Sequence, residues 1–378
     1  MYKILVFLVI LLPGCSIVAA QVKDENLPKT GATKQADYSE STPYQPRADE
    51  LTTLRKTKKK KSKTDSDQKK NVQPVNEISS KENTGNKTVR IPVFVYDGKG
   101  KPVTDLQNSE MKIFVDDKEQ EISAFETAKS PLNVLLILDT SPSLAYKDDD
   151  LKNVVSKLIE ALKPDDRLQI ISFNLEIDVL NEATNDAKIL QKAVKKVRMG
   201  DGTSIYEAIQ TINKKYLSPK TEQPLIILLT DGVDTTSRRA SYISSLVEAE
   251  KSGAVVFPFY FDSFEFFQKN PPRFPLSGFG INAPRSNIGL AQAEYDLGRA
   301  YLQDLAALSG GRTFAVKNLS EIKKEDFEAA FKLINPNYYL SINGAETSGA
   351  FQRKQIKVRV NRPNLNVQAR GSYVTGED

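Results

Sequence analysis

Asp139-Thr140-Ser141-Pro142-Ser143 sets a carboxylate and two hydroxyls at alternate positions, directly after the unbroken apolar run Val134-Leu135-Leu136-Ile137-Leu138. Oxygens of this kind suit hard divalent cations, which take roughly six or more of them. A metal needs more oxygens than this loop alone holds, so other segments have to converge on it. Two qualify. Gly200-Asp201-Gly202-Thr203-Ser204-Ile205 is a loop running into a helix, and it offers Thr203. Leu225-Ile226-Ile227-Leu228-Leu229-Thr230-Asp231-Gly232 is a second apolar run ending in a carboxylate, Asp231, with Gly232 freeing the turn.

The elements around these residues explain how they would meet. An apolar run of strand length reads as a strand buried on both faces. Leu151, Val154, Val155, Leu158, Ile159 and Leu162 recur at helical spacing, and residues 168–173 then read as a strand. Residues 177–180 read as a short antiparallel edge strand, followed by helical patterns over 189–197, 205–216 and 242–251. A strand is expected over 254–261, a helix over 295–309, a last strand over 312–316 and a last helix over 321–334. This alternation predicts an α/β domain with a doubly wound, mostly parallel sheet covered on both faces. Ligands bind such sheets beyond the carboxyl ends of the strands, where the winding reverses. With strand order 3-2-1-4-5-6 the first and fourth strands are neighbours, so Asp139 and Asp231 emerge side by side.

Asp139-x-Ser141-x-Ser143, the distant Thr203 and Thr230-Asp231-Gly232 resemble the metal-ion-dependent adhesion site of the von Willebrand factor A domain family. The resemblance covers about residues 131–334, and the flanks resemble bacterial secreted members of the family. It implies a Rossmann-like, non-catalytic domain that holds a cation at Asp139, Ser141, Ser143, Thr203 and Asp231. Magnesium is the ion expected, with manganese or calcium as alternatives. Magnesium keeps several of its waters. If Ser141 and Ser143, with Thr203, bind directly while Asp139 and Asp231 act through water, the nearest ligands are neutral and the ion stays electrophilic. A protein partner's Asp or Glu then completes the shell, which is how the resemblance implies adhesion works. The chain departs from the pattern at Pro142, which stiffens the loop, and at Asp201, which stands where a glycine is commoner.

Composition narrows the other options. The 378 residues include no His, no Trp and a single Cys, which excludes His-assisted nucleophiles, His-ligated zinc and a CxxC pair. Met1-Tyr2-Lys3 and the short apolar run after it read as a secretion signal over 1–20. Two maturation routes fit it: Leu12-Pro13-Gly14-Cys15 resembles a lipoprotein box that would make Cys15 a lipid anchor, and Val18-Ala19-Ala20 suits ordinary cleavage before Gln21. Either route places the protein outside the cytoplasm, in a bacterial envelope (periplasmic or membrane-anchored) or secreted. Residues 21–87 are polar and aperiodic and are expected to form a disordered linker. Its cationic run from Arg55 to Lys63 is a solvated spacer or a contact for an anionic envelope surface; without interleaved aromatics it is not a nucleic-acid site.

Residues 88–128 hold a three-stranded β segment: strands around Val89–Val95 and Lys112–Val115, with Pro92 suggesting an edge position, and one over 121–125. That is too little to stand alone. Residues 336–375 alternate at period two in three further strands, so both flanks are expected to pair into one small β-sandwich with the α/β domain inserted in it.

Some features carry two readings. The hydroxyls and carboxylates of the five candidate ligands also suit loop and helix capping. Asp148-Asp149-Asp150 reads as charge favoured by a helix N-terminus, with a second cation site as the alternative. The Phe-rich stretch over 262–292 either borders the candidate site or packs back on its own domain. Two other functions stay open: a scaffold whose β module does the binding, and a magnesium-dependent hydrolase. The missing His and the lack of a second acidic cluster argue against the hydrolase.

Overall fold

The structure is a computed structural model that describes residues 37–44, 88–127, 131–141, 144, 148–217, 225–264, 288–316, 319–344 and 351–375. In chain order its strands are β1 (Ser39–Glu40), β2 (Thr88–Tyr96), β3 (Met111–Val115), β4 (Lys118–Gln120), β5 (Ala124–Thr127), β6 (Asn133–Asp139), β7 (Arg167–Phe173), β8 (Ile177–Val179), β9 (Leu225–Thr230), β10 (Val255–Phe261), β11 (Phe314–Val316), β12 (Tyr338–Asn343), β13 (Gln352–Val360), β14 (Asn366–Ala369) and β15 (Ser372–Thr375). The main helices are α1 (Asp148–Ala161), α2 (Ala187–Lys196), α3 (Ile205–Tyr216), α4 (Tyr242–Ser252), α5 (Ile288–Ser309) and α6 (Lys324–Ile334).

The central sheet runs β11-β10-β9-β6-β7-β8, with every neighbouring pair parallel except β7 and β8. Counted from β6, this is the order expected from the sequence, and it seats β6 beside β9. The unbroken apolar run of β6 has a direct cause. Val134, Leu136 and Leu138 face a core built with α1, α2 and α6, while Leu135 and Ile137 face a second core built with α3, α4 and α5. Burying a side chain of this size contributes about 1.5–3 kcal/mol, so a strand covered on both faces is a stiff support for the loop at its carboxyl end. The helix ends carry their own signals. Asp186 accepts the amides of Lys188 and Ile189 at the start of α2. Ser241 caps α4, and Gly253 closes it in the left-handed region at φ 70°.

The two flanks fold together. One sheet runs β1-β13-β3-β4, with β15 also on β13, and the other runs β14-β2-β12-β5. Ile91, Val93 and Val95 of β2, Tyr338, Leu340 and Ile342 of β12, and Ile356, Val358 and Val360 of β13 fill one shared core. Even positions of β2 face the other way: Phe94 and Tyr96 join the core beneath α1 and α6, and the Tyr96 hydroxyl donates to the Leu333 carbonyl at 2.5 Å. On the opposite side, the fully buried Glu250 of α4 accepts from Arg353 Nε at 2.9 Å and from the Ser372 hydroxyl at 2.5 Å. The buried Arg370 guanidinium donates to the Glu250 carbonyl at 2.9 Å. The β module and the α/β domain are therefore locked at two places by apolar packing and by a buried ionic cluster.

Four expectations need correction. The disordered stretch over 21–87 contains an ordered strap: β1 pairs with β13, the Ser41 amide donates to the Val358 carbonyl at 2.8 Å, and Tyr44 is only 4% exposed in the core beneath α3 to α5. A two-residue strand fixed largely by backbone and serine bonds leaves no apolar period to read. Pro92 is not on an edge, because β2 lies between β14 and β12. The Val93 carbonyl and the Val95 amide face the β12 side, so position 92 faces β14, whose pairing stops opposite Val93. The missing N–H of Pro92 therefore falls where no ladder bond is needed. The strand expected over 121–125 is displaced: β4 ends at Gln120 on one sheet, residues 121–123 make the crossing, and β5 starts at Ala124 on the other sheet. Finally, β15 was not expected; it follows Gly371 closely and is only four residues long.

Among the described residues no helix is long and apolar enough to cross a membrane. The expected leader over 1–20 with Cys15, the cationic run over 55–63 and residues 265–287 of the Phe-rich stretch lie outside the described residues.

Candidate metal centre

Asp139 ends β6 and Asp231 follows β9, and both side chains are fully buried at the carboxyl ends of adjacent strands. Each is aimed by neighbours. Asp139 accepts the Ser141 amide on Oδ1 at 2.9 Å and the Thr230 hydroxyl on Oδ2 at 2.6 Å. Asp231 accepts the Val233 amide on Oδ1 at 3.1 Å and the Ser263 hydroxyl on Oδ2 at 2.7 Å. The Ser263 oxygen lies 2.9 Å from the Tyr295 hydroxyl of α5. Burial, followed by the Asp231 charge, pushes the Asp139 carboxyl up to about 7, against the pull of its hydrogen bonds from Thr230 and Ser141. Among the described residues no cationic side chain contributes to this shift. Burial, then Asp231, also pushes the Tyr295 hydroxyl up to about 12.

The turn after Asp231 requires glycine twice over. Gly232 sits at φ 79°, and a β-carbon there would come within 2.8 Å of the Gly298 carbonyl oxygen of α5. Two glycines in contact let α5 approach the strand end closely enough for Tyr295 to reach Ser263.

Ser141 is fully buried, and the loop that carries it is tied down through its neighbour Thr140. The Thr140 amide donates to the Phe173 carbonyl at 2.8 Å, Asn174 Nδ2 donates to Thr140 Oγ1 at 3.1 Å, and the Gly200 amide donates to the Thr140 carbonyl at 2.9 Å. That last bond brings the loop of Thr203 against the loop of Ser141. Thr203 is buried, and its backbone is fixed from the other side: its amide donates to Thr235 Oγ1 at 2.9 Å, and its carbonyl accepts the amides of Thr235 and Thr236 at 2.9 and 3.1 Å. None of these bonds uses the Thr203 hydroxyl.

The start of α3 shows how tightly this side is built. Ser204 makes no side-chain cap. Instead the loop after Asp231 supplies the acceptors: Asp234 Oδ2 takes the Tyr206 amide and Ser237 Oγ takes the Glu207 amide, each at 3.1 Å. Glu207 answers by accepting the amides of Arg238 and Arg239, each at 2.7 Å. The Thr203 and Asp231 loops are thus one bonded unit.

The structure brings the loops of Asp139, Ser141, Thr203 and Asp231 to one end of the sheet, while Ser143 lies outside the described residues. Sequence reasoning gave Thr230 no role of its own and missed Ser263, Tyr295 and Thr235, which aim or fix the candidate ligands, and Asp234, Ser237 and Glu207, which tie their loops together. Only Thr230 had a signal, its place beside Asp231. Asp149 and Asp150 lie in the first turn of α1, which suits the helix-end reading. Phe264 packs its ring on Tyr295 at 5.2 Å.

Residues 134–233 match the von Willebrand factor type A domain family. Over that stretch the chain carries this family's domain. The chain shares 24% identity with the collagen alpha-1(VI) chain of Mus musculus over 189 residues, 46% of this chain and 18% of that one. An uncharacterised protein of Synechocystis sp. is 31% identical over 106 residues, 27% of this chain and 25% of that protein. The matches thus span about a fifth to a quarter of these relatives' length. A solved von Willebrand factor type A structure from Catenulispora acidiphila aligns at a TM-score of 0.40 and 12% identity, over 79% of this chain and 76% of that one.

The donor set of the A domain suits a hard cation better than a soft one. Among the described residues no three His, Cys, Asp or Glu side chains gather, so an ion at this end of the sheet would rest on two carboxylates, hydroxyls and water.

Proposed function

We propose that the A domain holds a divalent cation at Asp139, Ser141, Ser143, Thr203 and Asp231, and there binds an Asp or Glu side chain of a protein partner. Magnesium is the first choice, with manganese or calcium as alternatives. One observation supports this most: two carboxylates are fully buried at neighbouring strand ends, and the Asp139 carboxyl is raised by burial and by Asp231 with no cation among the described residues to offset it. A group that merely capped the sheet end would gain nothing from a second buried acid beside it. A bound magnesium would supply an electrophilic corner for an anionic oxygen. The chain's own part is positioning. Thr230 and the Ser141 amide hold Asp139, the Val233 amide and Ser263 hold Asp231, and the Thr235 bonds hold Thr203.

The reading is non-catalytic. The chain has no His for acid–base work, and no second acidic cluster among the described residues would complete a two-metal site. We place the protein in the bacterial envelope or outside the cell on the strength of the leader-like 1–20 stretch, with Cys15 as the lipid anchor if that route is taken.

Calorimetry of the purified protein with magnesium tests the site. Saturable uptake that disappears in Asp139→Ala, with the far-ultraviolet dichroism unchanged, is expected. Uptake that persists in Asp139→Ala would overturn the assignment. A pull-down from envelope extract with magnesium and with chelator then tests whether partner capture depends on the ion.

A further inference from the structure

We propose that the Arg238–Arg239 turn is a second docking point for the partner, beside the cation corner, and that it engages another acidic side chain of the same protein ligand. This rests on the cation reading above.

The turn is built to be held still while its side chains face water. Glu207 Oε1 accepts both consecutive amides, and Oε2 pairs with Arg239 Nη2 at 3.2 Å. The Arg239 and Arg238 amide bonds hold the Glu207 carboxyl below the usual carboxylate range, so this anchor is charged at any ordinary pH. Asp234, Thr235 and Ser237 fasten the same loop to Thr203 and to the first turn of α3. Yet the Arg239 side chain is 89% exposed, and the exposed Arg238 makes no ion pair with any described residue. The backbone entropy of presenting two guanidiniums is thus lost on folding rather than on binding, which favours affinity. Guanidinium also matches carboxylate in a planar two-pronged fit.

The surrounding rim gives this turn a direction. Leu175, 54% exposed, lies with Thr236 against Gly202, so an apolar side chain stands next to the turn. The adjoining loops carry exposed Glu176 and Asp201. The loop that begins at Asp231 carries its positive charge at Arg238 and Arg239. The partner that fits is a protein segment with one acid for the cation corner, a second acid for the arginines and an apolar residue near them.

The test uses the full chain in magnesium and two synthetic peptides, one containing Glu-Leu-Gly-Glu and one with its second Glu replaced by Gln. The double variant Arg238→Ala/Arg239→Ala keeps both backbone amides, and with them the Glu207 clamp. Exposed charge pairs of this kind set an expectation of about a two- to fivefold weaker affinity of the variant for the two-acid peptide, with a shallower salt dependence. Affinity for the one-acid peptide, magnesium uptake and melting temperature should be unchanged. Equal affinity of the wild type for the two peptides, no binding of either, or no change in the variant would overturn the inference while magnesium uptake keeps the cation reading intact. A wild-type protein that takes up no magnesium would remove both.

Discussion

Asp139→Asn should raise the stability of the metal-free protein at pH 8 while abolishing its response to magnesium. The Asp139 side chain is fully buried, and its carboxyl is pushed from 3.8 to about 7, first by burial and then by Asp231. Because the folded value lies above the unfolded one, the folded protein keeps a proton that the unfolded chain has released. Stability therefore falls as pH rises from about 4 to about 7 and stays low above that. Some three pKa units at ~1.4 kcal/mol each set a ceiling on the order of 4 kcal/mol for the cost of the charged form. Asparagine carries no charge and keeps an oxygen for the Ser141 amide, but it loses the acceptor for the Thr230 hydroxyl, a cost of about 1 kcal/mol. The net gain at pH 8 is then roughly 2–3 kcal/mol, or about 5–10 °C for a domain of this size. At pH 4 and below, where the group is neutral in the folded protein and increasingly so in the unfolded chain, the gain should vanish. Thermal melts in chelator at both pH values, repeated with magnesium, measure all of this. Magnesium at about a hundred times its dissociation constant should add ~2.7 kcal/mol to the wild type and nothing to the variant. A variant that melts below the wild type at pH 8 in chelator would show that the carboxylate is a stabilising cap, and a retained magnesium response would show that the ion sits elsewhere.

Two further substitutions probe the frame that holds the site. Glu250→Ala removes the carboxylate that Arg353 and Ser372 share and leaves Arg370 buried beside an alanine. Loss of one partner from a buried ion pair costs about 3–5 kcal/mol, so urea unfolding should show a drop of that size, and Glu250→Gln should recover part of it. Tyr44→Ala empties a place in the core beneath α3 to α5, and it should lower stability by about 3 kcal/mol or more in the same assay. A loss under about 0.5 kcal/mol at Tyr44 would mean that the strap over residues 37–44 does not hold the fold in solution.

How far the fold could be read in advance depends on where each signal is stored. β6 and β9 were legible because a strand covered on both faces must be apolar at every position, and their ends were legible because a carboxylate interrupts each run. The helices were legible from their apolar period. Helix α5 nonetheless begins at Ile288, ahead of the expected 295, and the pattern of about its first two turns is diluted by Gly289 and Gln292. The β module was legible as alternation but not as pairing. Period two says which side chains share a face and nothing about which strand lies alongside, which is why the crossing from β4 to β5 and the inner position of Pro92 escaped.

The sequence by itself determined the doubly wound sheet, its strand order and the two carboxylates at adjacent strand ends, since burial and chain connectivity leave few other arrangements. Tertiary structure alone decided what aims those carboxylates: Ser263 and Tyr295 on Asp231, the Thr235 bonds to Thr203, and Glu207 pinning the Arg238–Arg239 turn. The physical reason is that apolar burial repeats along the chain and so leaves a period. A hydrogen bond between polar side chains on separate loops depends on where the packed core brings those loops.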